Sequence, residues 1–225
     1  MTGPLNEEQL HALETAARAC LERDCSCHDW DHTRRVLSTA LQLAQTEGGD
    51  PGVITAAALL HDIARPEEMA DQGKTDHALL GSQKAAEILQ KLQIGDAPWQ
   101  EHVCQCIRSH RYRSRNGEPP ASIEARVLYD ADKLDSLGAI GLARAFHFAG
   151  KTGARVHNTK EEALSGASYG REDSAYREYL VKLQHLPEAM LTSTGHALAL
   201  QRAAFMHAFF QELDQECAAK RRIPR

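Results

Sequence analysis

Three polar words interrupt segments that otherwise read as apolar helix: HDWDHTRRV (28–36), AALLHDIARPEE (57–68) and VLYDADKLDSLGAIG (127–141). They place His28 and His32, His61 and Asp62, and Asp130, Asp132 and Asp135 where a core would otherwise continue. Imidazole and carboxylate groups are costly to bury unless they find partners. His61 and Asp62 diverge by about 100° on a helix, yet both reach one cation placed between those directions. The helix C-terminus, where the apolar run ends at Pro66, adds partial negative charge that favours such a cation. His28 and His32 are four apart and share a helix face. A core helix seldom takes three carboxylates that have no task. Taken singly, each residue also has an ordinary reading, as a satisfied core histidine or a capping aspartate.

These residues need helices to hold them, and the chain reads as helix after helix. Leu5 to Leu21 is amphipathic, and Asp29 to Glu47 follows with Asp29 as its N-cap and Gly48-Gly49 as its stop. Pro51 suits the first turn of a third helix running to about Arg65. Further helices are expected near Thr75–Gln93, Ala97–His110 and Ser122–Gly150, the last interrupted at Gly138 and Gly141. Residues 151–172 look irregular and polar, and a stretch of that kind in a compact domain often serves as a lid. Helix then resumes over Asp173–Gln184 and from His196 to about Ala219. No stretch alternates with period two, so the expected fold is all-α without a significant sheet.

Bulk properties narrow the function. With 225 residues, 42% of them apolar, the chain can build a real core. A net charge of −5 argues against a polybasic nucleic-acid binder. Acidic residues within Met1 to Leu10 do not fit a secretory leader, and no apolar run approaches the length of a membrane span, so a cytoplasmic location is expected. The pairs Cys25/Cys27 and Cys104/Cys106 have a spacing zinc sites rarely use, and they read as buried thiols or surface residues. The loop RYRSRNGEPPA (111–121) offers Arg111, Tyr112, Arg113 and Arg115 to a phosphate, or simply to solvent.

In order along the chain, His32, then His61-Asp62, then Asp132 resemble the H…HD…D signature of the HD-domain phosphohydrolases. HDWDHTRRV, LLHDIAR and DADKLDSLGAIGLARAF are similar to the surrounding words of compact bacterial members, some of them nucleotide pyrophosphatases. The tail REYLVKLQHLPEAMLTSTGHALALQRAAFMHAFFQELDQE resembles that group as well, so the likeness runs from about residue 20 to 217. It implies a single HD-type helical bundle over 1–225, with a core of about 20–150 and a C-terminal helical extension of about 173–219. It also implies one divalent ion on His32, His61, Asp62 and Asp132. Two imidazoles and two carboxylates suit Mn²⁺ or Fe²⁺ better than Mg²⁺, with Co²⁺ and Ni²⁺ as further candidates.

Such an ion acidifies its bound water and polarises a phosphoryl oxygen, which is what hydrolysis of a phosphate ester or anhydride demands. The expected substrate is a small phosphorylated metabolite, a nucleotide by resemblance. Neither membrane nor nucleic acid is an expected partner, and a homo-oligomer is compatible with the sequence. Asp62 and Asp132 are catalytic candidates as ligands. Asp135, Glu67 and Glu68 are the acids near enough to move a proton. Arg65 is the first choice to offset phosphoryl charge, with Lys133 and Arg144 behind it. His28 is a substrate or ligand contact. His77 and His110 are expected to face the phosphate. In a two-metal branch of the superfamily, histidines in such stretches hold a second ion, but there the second place carries a His-His pair, whereas here it reads Ser109-His110. Trp30, Tyr112 and Phe146 could stack on a base. Two other readings stay open: an HD-fold di-iron oxygenase, which needs His77 and His110 as ligands, and a non-catalytic nucleotide-sensing module.

Overall fold

Aspartate begins four of the helices. In a computed structural model describing residues 3–21, 29–71, 73–111 and 119–218, α1 spans Glu7–Leu21, α2 Trp30–Glu47, α3 Pro51–Leu60, α4 Arg65–Ala70, α5 His77–Lys91, α6 Ala97–Ser109 and α7 Ile123–Leu134. Asp29, Asp50, Asp76 and Asp96 are the N-caps of α2, α3, α5 and α6, and each carboxylate accepts an amide N–H of its own first turn. These side chains satisfy amides that the helix cannot pair internally. Gly48 ends α2 at φ 85°, a conformation that favours glycine.

The contacts group the chain into two compact units. The first is Met1–Asp132 with Leu191–Gly195, and the second is Lys133–Met190 with His196–Arg225. In the first unit α3 lies at the centre and packs against α1, α2, α5 and α6. Eight of its residues are buried, among them Ala56, Ala57 and Ala58. Their small side chains let neighbouring helices come close. The helix is shorter than its sequence suggests: it stops at Leu60, and residues 61–64 form a turn that leads into α4. His61 and Asp62 therefore sit just beyond the helix rather than on its last turn.

Asp130 is fully buried on α7, but it takes no part in the histidine cluster. Its carboxylate accepts the backbone N–H of Leu191 at 2.9 Å, that of Thr192 at 2.8 Å and the Thr192 hydroxyl at 2.7 Å. Gly195 passes so near that a Cβ there would overlap Asp130 Oδ2. The buried acid is thus a tie for the 191–195 segment.

In the second unit, α8 spans Gly138–Lys151, α9 Lys160–Ser165, α10 Ala175–Val181 and α11 Ser193–Cys217, with short 3₁₀ turns at Leu183–His185 and Pro187–Ala189. The helix expected over Ser122–Gly150 is two helices, with a break before Gly138 at φ 71°. The core holds Tyr179 and Phe210, with ring centroids 4.6 Å apart, and Tyr176 beside them. Segment 151–172 is polar yet ordered. It contains α9, opened by a Thr159–Glu162 capping box, and the fully buried Asn158 donates to Glu172 and accepts from Ser174.

Among the described residues there is no strand, as the sequence predicts, and no helix is long and apolar enough to cross a membrane. Replacing Asp130 with alanine would leave two buried amides and a hydroxyl unpaired, a loss on the order of 3 kcal/mol. The expected outcome is a lower denaturant midpoint for Asp130→Ala. An unchanged midpoint would show that water or rearrangement satisfies those groups.

Candidate metal centre

Five side chains from the ends of five helices meet around the Asp62 carboxylate. The Asp29 cap accepts the His32 N–H at 2.9 Å, which fixes the first turn of α2 with His32 fully buried. His61 follows α3 directly, and its Nδ1 lies 2.8 Å from the Ala58 carbonyl. His110 follows α6 in the same way, with Nδ1 2.6 Å from the Ile107 carbonyl. A carbonyl only accepts, so in both rings Nδ1 carries the proton and Nε2 presents a lone pair. In both cases the bond also satisfies a carbonyl at a helix end.

The Nε2 atoms converge in pairs. Those of His32 and His61 are 3.3 Å apart, and those of His77 and His110 are 3.2 Å apart. Asp62 stands between the pairs. Its Oδ2 lies 3.4 Å from His32 Nε2 and 3.5 Å from His61 Nε2. Its Oδ1 lies 3.5 Å from both His77 Nε2 and His110 Nε2. Asp132 Oδ1 closes the first group, 3.5 Å from His32 Nε2. Two three-residue donor sets result: His32, His61 and Asp132, and Asp62, His77 and His110.

These separations are long for charged hydrogen bonds, which prefer about 2.7–2.9 Å. They suit ligands of one ion, since donors about 2.1 Å from a metal and at right angles stand about 3 Å apart. Asp62 Oδ2 is buried, and no hydrogen-bond partner among the described residues reaches it. A carboxylate oxygen left so, with imidazole lone pairs beside it, fits a bound cation in the first group: two imidazoles and two carboxylates.

The electrostatics agree. Burial opposes ionisation of Asp62, but His61, then Arg65 and the His110 and His32 rings outweigh it and hold the carboxyl well below its usual range. Burial also opposes charge on His61, yet Asp62 beside it raises the ring overall. Burial wins at the other pair: it lowers His77, helped by His110, and it lowers His110 despite Asp62. Those two rings are neutral near pH 7.

Around this core lies a cluster whose members the sequence offers separately but whose pairing it does not reveal. Glu68, 5% exposed, takes Arg65 Nη1 at 2.6 Å on Oε2 and Arg111 Nη1 at 2.6 Å on Oε1. Its Oε2 is also 2.9 Å from His77 Nδ1, a close polar contact without hydrogen-bond geometry. Arg65 Nε donates to Asp62 Oδ1 at 3.2 Å.

The other predicted residues make contacts of their own. Glu67 is half-exposed and pairs with Lys84. In the second unit, Arg144 Nη1 donates to Asp135 Oδ2 at 2.6 Å, and Lys133, the residue after Asp132, is half-buried. His61 is oriented by the Ala58 carbonyl. Trp30 lies under the Arg18 guanidinium, 4.5 Å from the ring centre, and Phe146 packs against Phe209. Cys104 and Cys106 are buried thiols, pushed up to about 11 and about 12 mainly by burial. His28, Tyr112, Arg113, Arg115, Cys25 and Cys27 lie outside the described residues.

Residues 29–137 match the HD domain family. The chain is 32% identical to YpgQ of Bacillus subtilis, a protein named as uncharacterized, over 93% of this chain and 94% of YpgQ. Among solved structures, an HD-superfamily hydrolase of Bacillus thuringiensis matches with a TM-score of 0.73 and 30% identity, over 95% of this chain and 99% of the other. B. subtilis YpgQ in complex with ADP matches with a TM-score of 0.71 and 29% identity, over 93% of this chain and 95% of the other. The chain belongs to the HD superfamily, and its solved neighbours support reading it as a hydrolase.

If Asp62 anchors a cation, Mn²⁺ at 100 times its dissociation constant should stabilise the wild type by about 2.7 kcal/mol. The gain should vanish in Asp62→Ala and on addition of a chelator. A melting temperature that rises equally in both proteins would count against the site.

Proposed function

We propose that the chain is a metal-dependent phosphohydrolase that cleaves a phosphate ester or anhydride of a nucleotide. One observation carries this reading: the donor set His32, His61 and Asp132 lies beside the buried Asp62 Oδ2, which has no hydrogen-bond partner among the described residues. The ADP complex of YpgQ supports the nucleotide class. A divalent ion held there, Mn²⁺ as first choice, supplies Lewis acidity to a phosphoryl oxygen and lowers the pKa of water. His61 contributes its Nε2 lone pair because Ala58 holds the proton at Nδ1. Arg65, tied to Asp62, offsets charge on the phosphoryl oxygens. Glu67 and Asp135 are engaged by Lys84 and Arg144, and this reading gives them supporting roles, with Lys133 and Arg144 as outer charges. The single-domain organisation over 1–225, with its core at about 20–150, belongs to the same proposal.

His77 and His110 favour a second reading. Burial keeps both neutral, so they serve better as lone-pair donors than as imidazolium acids. With Asp62 Oδ1 they offer a place for a second ion. A chain loaded with two irons would then be an HD-fold oxygenase.

The deciding assay measures phosphate and pyrophosphate release from a nucleotide panel with Mn²⁺, alongside elemental analysis and oxygen uptake. Release by the wild type should fall at least about a hundredfold in Asp132→Ala, since even the partners of ligands cost tenfold to a hundredfold. Full release by the variant would overturn the hydrolase site. Two irons per chain with oxygen consumption would replace it by the oxygenase.

A further inference from the structure

Glu68 has a place that ligand counting leaves unexplained. It is an almost fully buried carboxylate with two guanidinium groups on it. A carboxylate in such a position needs compensation, and one arginine would balance its charge. Here Arg65 bonds Oε2 and Arg111 pairs with Oε1, both at 2.6 Å, so this one carboxylate holds two guanidinium groups. Arg65 is held at its other end by Asp62 Oδ1. The two arginines come from different elements, the start of α4 and the turn after α6. Glu68 joins them.

We propose that Glu68 is a positioning residue that sets Arg65 and Arg111 as a two-guanidinium clamp for an oxyanion beside the Asp62, His77 and His110 group. This rests on the phosphohydrolase reading for the identity of the anion as a phosphoryl group. A guanidinium carries five N–H donors in a rigid fork that matches phosphate oxygens. Its usefulness depends on orientation, because a mobile arginine must be ordered at the moment of binding. Glu68 does that ordering beforehand. Arg111 is the more accessible arm, with a side chain 25% exposed against 13% for Arg65. The same carboxylate touches His77 Nδ1, so the clamp and that ring share one support.

The test is titration calorimetry of inorganic phosphate into protein equilibrated with Mn²⁺, with metal content measured in parallel. The proteins are the wild type, Glu68→Gln, Arg111→Met and the double variant. Phosphate affinity should fall about tenfold in each single variant while bound Mn²⁺ stays at one ion or more per chain. The double variant should be no worse than the weaker single one, because Glu68 acts through the arginines; a purely structural carboxylate would not give that pattern. Arg111→Met, at a partly exposed position, carries the test should Glu68→Gln fail to fold. Unchanged phosphate affinity in Arg111→Met, additive losses, or no phosphate binding by the wild type would each overturn the clamp. Phosphate binding that follows this pattern in a protein that hydrolyses no nucleotide would uphold the clamp and refute the hydrolase reading.

Discussion

Burial of the Asp62 carboxylate is the constraint on which the first unit is built. At 2% exposure it is surrounded by four imidazoles and one guanidinium. Together these groups outweigh the cost of burial and keep the acid charged. The helices around it are ordered accordingly. Aspartate caps start α2 and α5 so that His32 and His77 fall within their first turns. His61 and His110 close α3 and α6 by the same ring-to-carbonyl bond three residues back. For these four ends to reach one point, α3 must be thin, and its run of three buried alanines provides this.

The two sides of Asp62 are not equivalent. On the Oδ2 side, Asp132 adds a second acid, and the field is negative enough to raise His61 against the cost of burial. On the Oδ1 side, Arg65 and Arg111 add positive charge, and both contribute to lowering His77. A first cation is therefore favoured with His32, His61 and Asp132. A cation with His77 and His110 must overcome two arginines, whereas an anion is attracted by them. On the proposed reading, the field across one carboxylate would separate a metal side from an anion side over a few ångströms.

The sequence made the chemistry-bearing residues legible because polar groups stood out against apolar helix. His32, His61, Asp62 and Asp132, the set that the resemblance implies, come together, and the all-α reading holds across the described residues. What stayed hidden has physical reasons. Helix periodicity cannot locate a stop that depends on a side-chain bond, so α3 was expected to continue past Leu60. A run of polar residues resembles a loop until its partners are known, and α9 is held by contacts between residues far apart in sequence, such as Asn158 with Glu172. Asp130 and Asp132 look alike in the word DADKLD. Two positions apart on a helix they face different ways. One meets His32, the other the amides of the 191–195 segment.

Glu67 and Glu68 show the same limit at the scale of one residue. The sequence offers two adjacent acids after Pro66, and nothing local distinguishes them. The break after α3 restarts the helix at Arg65, so Glu68 stands three residues on, on the face that carries Arg65 back to Asp62. Glu67 points instead to Lys84 on α5. A one-residue shift in the start of α4 would exchange them, exposing Glu68 and freeing both arginines. The turn at 61–64 therefore does more than place the His-Asp pair: through the phase of the short helix after it, it also decides which acid organises the cationic side of the site.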